Sequence, residues 1–446
     1  MKKPNILFLF PDELRREWLS YSDDIFKYWE VERPNLNLPN IEYLQKRGVT
    51  FLNAVTPSPL CAPARACLAA GVQYKNCETF NNTFDFPIDK STVYKAMQDE
   101  GYEVCGVGKF DLQKLTCDWF DESKPKSWGF SKAIDNEGKM DCVKFAKRLG
   151  KAAGPYMKFL DEHGYMETHI DDMHDRKHKT NTCPLPDNAY CDNWITQNAI
   201  DFISEIPLGK PWFMQVNFAG PHPPFDITEQ MRETVENRHY ETGICCTLEY
   251  NLETRKNYAA MIENIDRNIG LLIELLKERG ELDNTVIVFS SDHGEMLGDF
   301  NRYGKGVAFR GSINIPLVVS MSNGVRQNEY ENSFVELQDL TQTFADITGA
   351  KFERKDESIS LLDLLNDKTK THRDFAISSL INSDNGFKCI VDNNYKYVET
   401  KKGEKSLFNL QNDILEKNNI IDKNEVVAKN YENKLNMLLD FNDIIF

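Results

Sequence analysis

Four largely apolar segments of strand length each run into a polar residue in this chain. The segments are residues 5–10, 102–107, 211–218 and 285–289, and the polar residues beyond them are Asp12, Lys109, His222 and Asp292. Such short apolar runs are typical of parallel strands that are buried on both faces. Because helical patterns separate the runs, the sequence predicts an α/β fold with a large, mostly parallel central sheet flanked by helices. We expect the four polar side chains to converge where the carboxyl ends of these strands meet.

A proline-rich loop leads into a short helical pattern at Cys61. Pro57 and Pro59 hold the approach extended, alanine and leucine favour the helix, and Gly71 is a natural stop. This pattern predicts Cys61 at or just before a helix N-terminus, where free N–H groups and the helix dipole favour an anion. Arg65 lies one turn further on the same face and offers a planar fork to an oxyanion. The ordinary alternative is a buried thiol beside an unrelated arginine.

The remaining patterns divide the chain into two units. Apolar residues at helical spacing predict helices over residues 39–48, 91–101, 187–205, 254–280 and 335–348, with Ser91 as the N-cap of the second. Residues 112–186 lack a regular period and are predicted to form long loops and short helices. Short antiparallel strands are predicted at residues 386–391, 395–399 and 406–409, followed by a helix at 425–439. We therefore predict a large domain over residues 1–373 and a small α+β subdomain over residues 374–446.

The composition excludes several classes of partner. The chain of 446 residues carries a formal net charge of −16, which argues against a nucleic acid or an anionic membrane as partner. The first apolar run is too short to cross a membrane, and no small-residue cleavage site follows it, so we do not expect a signal peptide. Eleven cysteines without the dense framework of a secreted scaffold favour a reducing, cytoplasmic location. An anionic substrate would therefore need a locally positive pocket.

Two clusters of carboxylates and imidazoles are candidate metal sites. Asp12, Asp292 and His293 combine two hard carboxylates, which favour Ca²⁺ or Mg²⁺, with an imidazole that leaves Mn²⁺ open. The Asp-His-Gly turn can also be a helix cap with an incidental histidine. Residues 169–178 contain several His and Asp residues and form either a second metal site or, as the composition favours, an exposed loop of mixed charge.

The segment Cys61-Ala62-Pro63-Ala64-Arg65 resembles the Cys-x-Pro-x-Arg signature of type I sulfatases, a family of the alkaline phosphatase superfamily. Further segments resemble motifs of this family in the expected order, and they are residues 4–12, 108–109, 220–223, 291–299, 304–306, 395–397 and 407–410. The order of the motifs makes the resemblance far more specific than any one of them. The resemblance implies an alkaline phosphatase-like fold and hydrolysis of a small-molecule or saccharide sulfate ester.

The resemblance also implies a modified nucleophile. In this family a maturation enzyme oxidises the cysteine that corresponds to Cys61 to Cα-formylglycine. By the same resemblance, the hydrate of residue 61 would share one divalent metal, expected to be Ca²⁺, with Asp12, Asp292 and His293. One hydroxyl of the hydrate would attack sulfur, and the second would then expel sulfate and regenerate the aldehyde.

The resemblance assigns the remaining charged residues to the substrate. Arg65, Lys109 and Lys305 would neutralise charge on the sulfuryl oxygens. His222 or Lys305 would stabilise or protonate the leaving alcohol oxygen. Taken alone, each lysine would ordinarily be a solvated surface charge. Its position inside a matched motif is what identifies it as a candidate active-site residue.

Three positions depart from the family pattern. Glu13 stands where sulfatases usually have Asp or Gln, and it is not counted here as a ligand. Asp111 stands where many members have a histidine that takes a proton from the second hydroxyl; Asp111 would either do the same or only orient Lys109. His293 stands where many members have Asn, and an Asp-His pair is more like choline-sulfatases and phosphonate monoester hydrolases. Hydrolysis of a phosphonate monoester or phosphodiester therefore stays open, as does a non-catalytic binding protein with Cys61 unmodified.

Overall fold

A large sheet forms the centre of the molecule. The computed structural model describes residues 3–173, 180, 182–322, 325–352 and 357–439. The strands of the large sheet are β1 Asn5–Leu9, β2 Gly48–Val55, β3 Glu103–Gly108, β4 Lys132–Asp135, β5 Trp212–Asn217, β6 Thr285–Ser290, β7 Leu317–Ser320 and β8 Glu329–Glu336. Their order is β4-β3-β5-β1-β6-β7-β2-β8, and only β7 among them runs antiparallel to its neighbours. The predicted α/β architecture is therefore confirmed.

The four apolar runs of the sequence are β1, β3, β5 and β6, which lie side by side. Ile6 in β1 pairs with Phe213 of β5 on one side and with Val286 of β6 on the other. Every residue of β1, β5 and β6 is buried, which explains why these strands are apolar on both faces. Their carboxyl ends consequently lie at one edge of the sheet.

The described part of the chain contains fifteen α-helices, and most of them lie against the two faces of this sheet. They are α1 Asp23–Tyr28, α2 Pro39–Lys46, α3 Cys61–Ala70, α4 Val93–Asp99, α5 Ser123–Ser127, α6 Lys139–Leu149, α7 Pro155–Glu162, α8 Met166–Met173, α9 Cys191–Glu205, α10 Glu229–Val235, α11 Asn251–Glu278, α12 Arg310–Ile313, α13 Asp339–Thr348, α14 Leu362–Asn366 and α15 Glu425–Leu438. Two separate apolar cores result, one on each face of the sheet. Within the described ranges, no helix has both the length and the apolar character needed to cross a membrane.

A second, smaller sheet lies in the C-terminal part of the chain. Its antiparallel strands are β9 Phe375–Leu380, β10 Phe387–Asp392, β11 Tyr395–Thr400 and β12 Lys405–Asn409. A tight turn joins β10 and β11, in which Asp392 Oδ1 accepts hydrogen bonds from the N–H groups of Asn394 and Tyr395. Strand β9 was not predicted. The division of the chain between residues 373 and 374 stays a prediction.

Four predicted helices begin at other residues. Helix α9 begins at Cys191 and not at residue 187, α11 begins at Asn251 and not at residue 254, and α4 and α13 also begin later than predicted. Helix α4 begins at Val93 because the hydroxyl of Thr92, rather than Ser91, accepts the N–H of Lys95 and caps it. The helix predicted from residue 335 begins instead at Asp339. The preceding residues form β8, which pairs in parallel with β2, so long-range pairing overrides the local helical pattern there.

Residues 112–186 contain more order than their lack of periodicity indicated. Strand β4 adds to the edge of the sheet, and α5 to α8 are the predicted short helices. The interpretation of residues 169–178 as an exposed loop was wrong for its first part. His169 is buried on α8 and packs edge-on against Tyr156. Residues 174–178 lie outside the described residues.

Gly108 has a backbone that only glycine fits. Its φ is 102°, and a Cβ there would lie 1.9 Å from the carbonyl oxygen of Asn217. We expect Gly108→Ala to lower the free energy of unfolding by roughly 2–5 kcal/mol, because left-handed strain and overpacking add. Gly101→Ala is the matched control, since its φ is 88° but its Cβ would meet nothing within 4 Å. Urea unfolding that shows equal losses in the two variants would contradict this interpretation.

Candidate active site

Four buried side chains converge at the carboxyl edge of the large sheet. Asp12 follows β1, Asp292 and His293 follow β6, and Cys61 is the first residue of α3. Their potential ligand atoms all lie within 4.8 Å of one another. Cys61 Sγ is 3.2 Å from His293 Nε2 and 3.7 Å from Asp12 Oδ1. The structure therefore brings together the complete set of metal ligands named from the sequence.

Helix α3 presents Cys61 at its N-terminus, as predicted. Leu60 precedes it in an extended conformation, and Gly71 ends the helix with a left-handed φ of 65°. The whole helix is buried, so its dipole acts in a poorly screened environment. Asn82 Oδ1 accepts the N–H of Ala62 at 3.0 Å, which occupies one of the free donors beside the thiol.

Asp292 joins the loops that follow β1 and β6. Its Oδ1 accepts the N–H of Glu13 at 3.0 Å and the N–H of His293 at 2.9 Å. Its Oδ2 forms an ion pair with Arg65 Nε at 3.0 Å. His293 Nδ1 lies 3.0 Å from the carbonyl oxygen of Gly294, so a hydrogen on Nδ1 leaves Nε2 as the nitrogen that faces the cluster.

Two buried cations flank the cluster on the side of Cys61. Lys109 Nζ forms an ion pair with Asp12 and lies 3.7 Å from Cys61 Sγ. Arg65 donates to the backbone carbonyl of Lys109, and its guanidinium lies over the ring of Phe10 at 4.9 Å. Lys109 directly follows the last residue of β3, as the sequence indicated. Both cations therefore face the position in which an anion bound at residue 61 would lie.

Lys305 and His222 lie next to each other beside the cluster, and both contact Glu13. Lys305 Nζ forms an ion pair with Glu13 Oε2, and His222 Nε2 lies 3.2 Å from the same oxygen. Burial, together with Lys305 and Lys109, lowers the pKa of His222 well below its ordinary value, which makes its imidazolium a stronger acid. Burial also raises the pKa of Glu13 well above its usual range, although Lys305 acts against that shift.

Opposite charges determine the protonation of the cluster. Burial alone would raise the pKa of Asp12, but Lys109 and the other cations outweigh it and hold this pKa well below the ordinary value. Burial alone would lower the pKa of His293, yet Asp292 and Cys61 raise it to about 9. Because a ligating imidazole is neutral, a bound cation would displace the proton from His293.

Asp111 lies beside the cluster and not within it. Its Oδ2 is 3.3 Å from Lys109 Nζ, and its Oδ1 is 3.1 Å from Lys114 Nζ. Burial would raise the pKa of Asp111, but the two lysines outweigh it and lower this pKa. A carboxylate held between two ammonium groups is a weak base.

The donor chemistry of the four-residue cluster fits a divalent metal ion. Two buried carboxylates, one imidazole and residue 61 surround one point, and two carboxylates are typical of hard cations. A second group in the described chain that could hold a metal is Asp12, Glu13 and His222. His169 belongs to neither group, so the part of residues 169–178 that the structure describes forms no metal site of this kind.

Sequence reasoning missed two residues of this site. Glu13 was noted only as a departure from a family pattern, although its position directly after Asp12 was a signal for its place. Asn82 lies in a loop without any motif, and nothing in the sequence marks it. Both reach the site through backbone turns and long-range contacts.

Comparison with known proteins places these features in context. The sulfatase family model matches residues 4–350, and the model for the C-terminal region of N-sulphoglucosamine sulphohydrolase matches residues 298–440. An arylsulfatase of Clostridium perfringens is 26% identical over 457 residues, covering 92% of this chain and 89% of the relative. The multifunctional alkaline phosphatase superfamily protein PehA of Trinickia caryophylli is 24% identical, covering 93% of this chain and 90% of the relative.

Solved structures share the same architecture. A phosphonate monoester hydrolase of Agrobacterium radiobacter superimposes with a TM-score of 0.79 at 20% identity, covering 98% of this chain and 95% of that chain. At this identity the likeness shows a shared fold and no more. The alkaline phosphatase-like fold expected from the sequence is thereby confirmed.

The four-residue cluster generates a prediction about metal binding. We expect Asp12→Asn and Asp292→Asn to abolish stoichiometric binding of a divalent cation, because each removes a carboxylate while keeping the shape of the side chain. Metal content after dialysis measures this directly. Asp111→Asn is the matched control, since Asp111 is equally buried but lies outside the cluster. Full retention of the metal in both cluster variants would refute the site.

Proposed function

The chain belongs to the sulfatase family, and on this premise we propose that it hydrolyses a sulfate ester with residue 61, converted from cysteine to Cα-formylglycine, as nucleophile. One observation carries the proposal. Cys61 begins a buried helix inside a cluster of two carboxylates and an imidazole, with Lys109 and Arg65 beside it. A nucleophile, a site for a cation and two fixed positive charges at one point suit transfer of an anionic group.

The proposed metal is Ca²⁺, with Mg²⁺ or Mn²⁺ as alternatives. Asp12, Asp292 and His293 would hold it together with residue 61, and the bound cation would lower the pKa of the attacking hydroxyl. The anchoring of Asp292 by two N–H groups and Arg65 supports a site whose carboxylate is already oriented. We also propose that a formylglycine-generating enzyme acts on the chain before Cys61 becomes buried.

The hydrated aldehyde of residue 61 has two hydroxyl groups, and the proposed reaction uses both in turn. One hydroxyl would pass its proton to water, and its oxygen would form a bond to sulfur while the bond from sulfur to the alcohol oxygen breaks. Lys109 and Arg65 offset the charge that develops on the sulfuryl oxygens. The second hydroxyl then loses its proton, the carbon–oxygen bond to sulfate breaks, and the aldehyde is regenerated for hydration by water.

Lys305 and His222 are the proposed donors to the leaving alcohol. Lys305 Nζ and His222 Nε2 both contact Glu13 Oε2 and so lie side by side. A proton from one of them would pass to the alcohol oxygen as its bond to sulfur breaks. The lowered pKa of His222 leaves its imidazole neutral near pH 7, whereas the pKa of Lys305 is raised, so Lys305 is the one of the two that carries a proton as a cation.

We propose that Asp111 orients Lys109 and does not act as the base in sulfate release. The contacts of Asp111 with Lys109 and Lys114 support this role, and so does its lowered pKa. The proton of the second hydroxyl therefore requires another acceptor. Water is the acceptor that this leaves, because the pKa of Asp12, despite its burial, is also held well below its ordinary value by Lys109 and the other cations.

A second candidate function is hydrolysis of a phosphonate monoester or phosphodiester by the same residues. The observation that favours it is His293, whose imidazole replaces the amide that many sulfatases have in the cluster. The similarity in fold to the phosphonate monoester hydrolase of Agrobacterium radiobacter is consistent with this alternative. A cytoplasmic location is proposed as well, and it is supported by the eleven cysteines, which are all described and form no disulfide.

The nucleophile generates a mass prediction. Protein from a host with a formylglycine-generating enzyme should carry an aldehyde at residue 61, and the peptide that contains it should be lighter than the thiol form. Peptide mass spectrometry checks this, with Cys61→Ala as the unmodifiable control. Full activity from protein that carries only the thiol would contradict the proposal and favour a different nucleophile.

The choice between sulfur and phosphorus generates a kinetic prediction. We expect kcat/KM for 4-nitrophenyl sulfate to exceed that for 4-nitrophenyl phenylphosphonate, which has the same leaving group and also a single negative charge. Replacing His293 by Asn should shift the ratio further toward the sulfate, because it installs the residue found in many sulfatases. Higher values for the phosphonate in the wild-type enzyme would favour the second candidate.

A further inference from the structure

The carboxylate of Glu13 lies beside Asp12 but outside the four-residue cluster, and it has partners of its own. The side chain of Glu13 is fully buried, and its Oε2 contacts Lys305 Nζ and His222 Nε2, the latter at 3.2 Å. The group of atoms within 4.8 Å around Cys61 contains Asp12 but not Glu13. Two carboxylates that are neighbours in the sequence thus have different partners.

The backbone explains this division. Glu13 has a φ of 67°, a left-handed conformation that a non-glycine residue adopts only when its surroundings impose it. Its N–H donates to Asp292 Oδ1 at 3.0 Å, and its carbonyl oxygen accepts the hydroxyl of Tyr258 at 2.7 Å. Both backbone groups are therefore fixed, and the turn between them directs the side chain of Glu13 toward Lys305.

We propose that Glu13 is a positioning residue for the leaving-group side of the site, holding Lys305 and His222 on one carboxylate oxygen, and that it is not a metal ligand. This inference rests on the proposed function, because it assumes that Lys305 and His222 serve the leaving alcohol. Glu13, Asp12 and His222 could alternatively hold a second cation. The ammonium of Lys305 argues against that alternative, since it already supplies positive charge at Glu13 Oε2.

The position of Lys305 makes such a positioning residue necessary. Lys305 follows Gly304, whose φ is 80°. The backbone N–H of Gly306, the next residue, donates to the carbonyl oxygen of Pro59. This hydrogen bond ties the loop that carries Lys305 to the segment that leads into Cys61. A lysine has three rotatable N–H donors and no rigid geometry of its own, so a fixed acceptor is needed to place it.

The experiment compares Glu13→Met and Glu13→Gln with the wild-type enzyme on two sulfate esters. Methionine keeps the length of the side chain but has no oxygen, whereas glutamine keeps one carbonyl acceptor. Phenyl sulfate needs a proton on its leaving oxygen far more than 4-nitrophenyl sulfate does. For Glu13→Met we expect kcat/KM to fall about 10²-fold with phenyl sulfate and about tenfold or less with 4-nitrophenyl sulfate. Glu13→Gln should recover part of the selective loss.

Metal content separates the positioning role from ligation. We expect Glu13→Met and Glu13→Gln to retain the stoichiometry of the wild-type protein, whereas Asp12→Asn, as the matched control, loses the metal. Loss of metal in Glu13→Met would overturn the inference. Equal loss of rate on both esters with metal retained would also overturn it, because it would mark a merely structural role. Thermal unfolding identifies any variant that fails to fold, in which case Glu13→Gln alone decides.

Failure of the inference and failure of the proposed function give different results. A wild-type enzyme that hydrolyses both sulfate esters supports the proposed function whatever the Glu13 variants do. Uniform loss in those variants would then overturn only the role of Glu13. Hydrolysis of neither ester by metal-loaded, aldehyde-bearing wild-type protein would overturn the proposed function and this inference with it.

Discussion

The site depends on the interactions of one buried carboxylate, that of Asp292. One oxygen accepts the N–H groups of Glu13 and His293, and the other pairs with Arg65. These contacts join the loop after β1, the loop after β6 and helix α3, three segments that are remote in the sequence. Because Asp292 is fully buried, none of these hydrogen bonds competes with water, and loss of any partner would leave a buried charge without compensation.

A second layer of buried ion pairs supports the loop that carries Lys305. Arg15 donates to the carbonyl oxygen of Met296 at 3.1 Å and to Asp299 at 2.9 Å, so that it holds residues 296–299 against the loop after β1. Glu17 pairs with Arg15 and with Arg310, the first residue of α12. Removing one partner from such a buried network costs on the order of 3–5 kcal/mol, which makes the loop a rigid support.

The sheet could be predicted because its strands carry their own signal. Residues 5–10, 211–218 and 285–289 are apolar since both faces of β1, β5 and β6 are covered, and this property is visible in each segment alone. Strand β8 was missed because its ladder with β2 depends on residues nearly three hundred positions away. His169 was misplaced for a similar reason, since a helix that packs against Tyr156 is not distinguished from a charged loop by local composition.

The sequence by itself determined the class of fold, the place of Cys61 at a helix N-terminus and the residues Asp12, Asp292 and His293 that meet around it. Those features follow from local patterning and from the rule that parallel strands end at one edge. Only the tertiary structure decided what each charged group faces. Glu13 contacts Lys305 and His222, because a left-handed turn held by Asp292 and Tyr258 sets the direction of its side chain. Such directions depend on contacts between distant segments, and no local pattern encodes them.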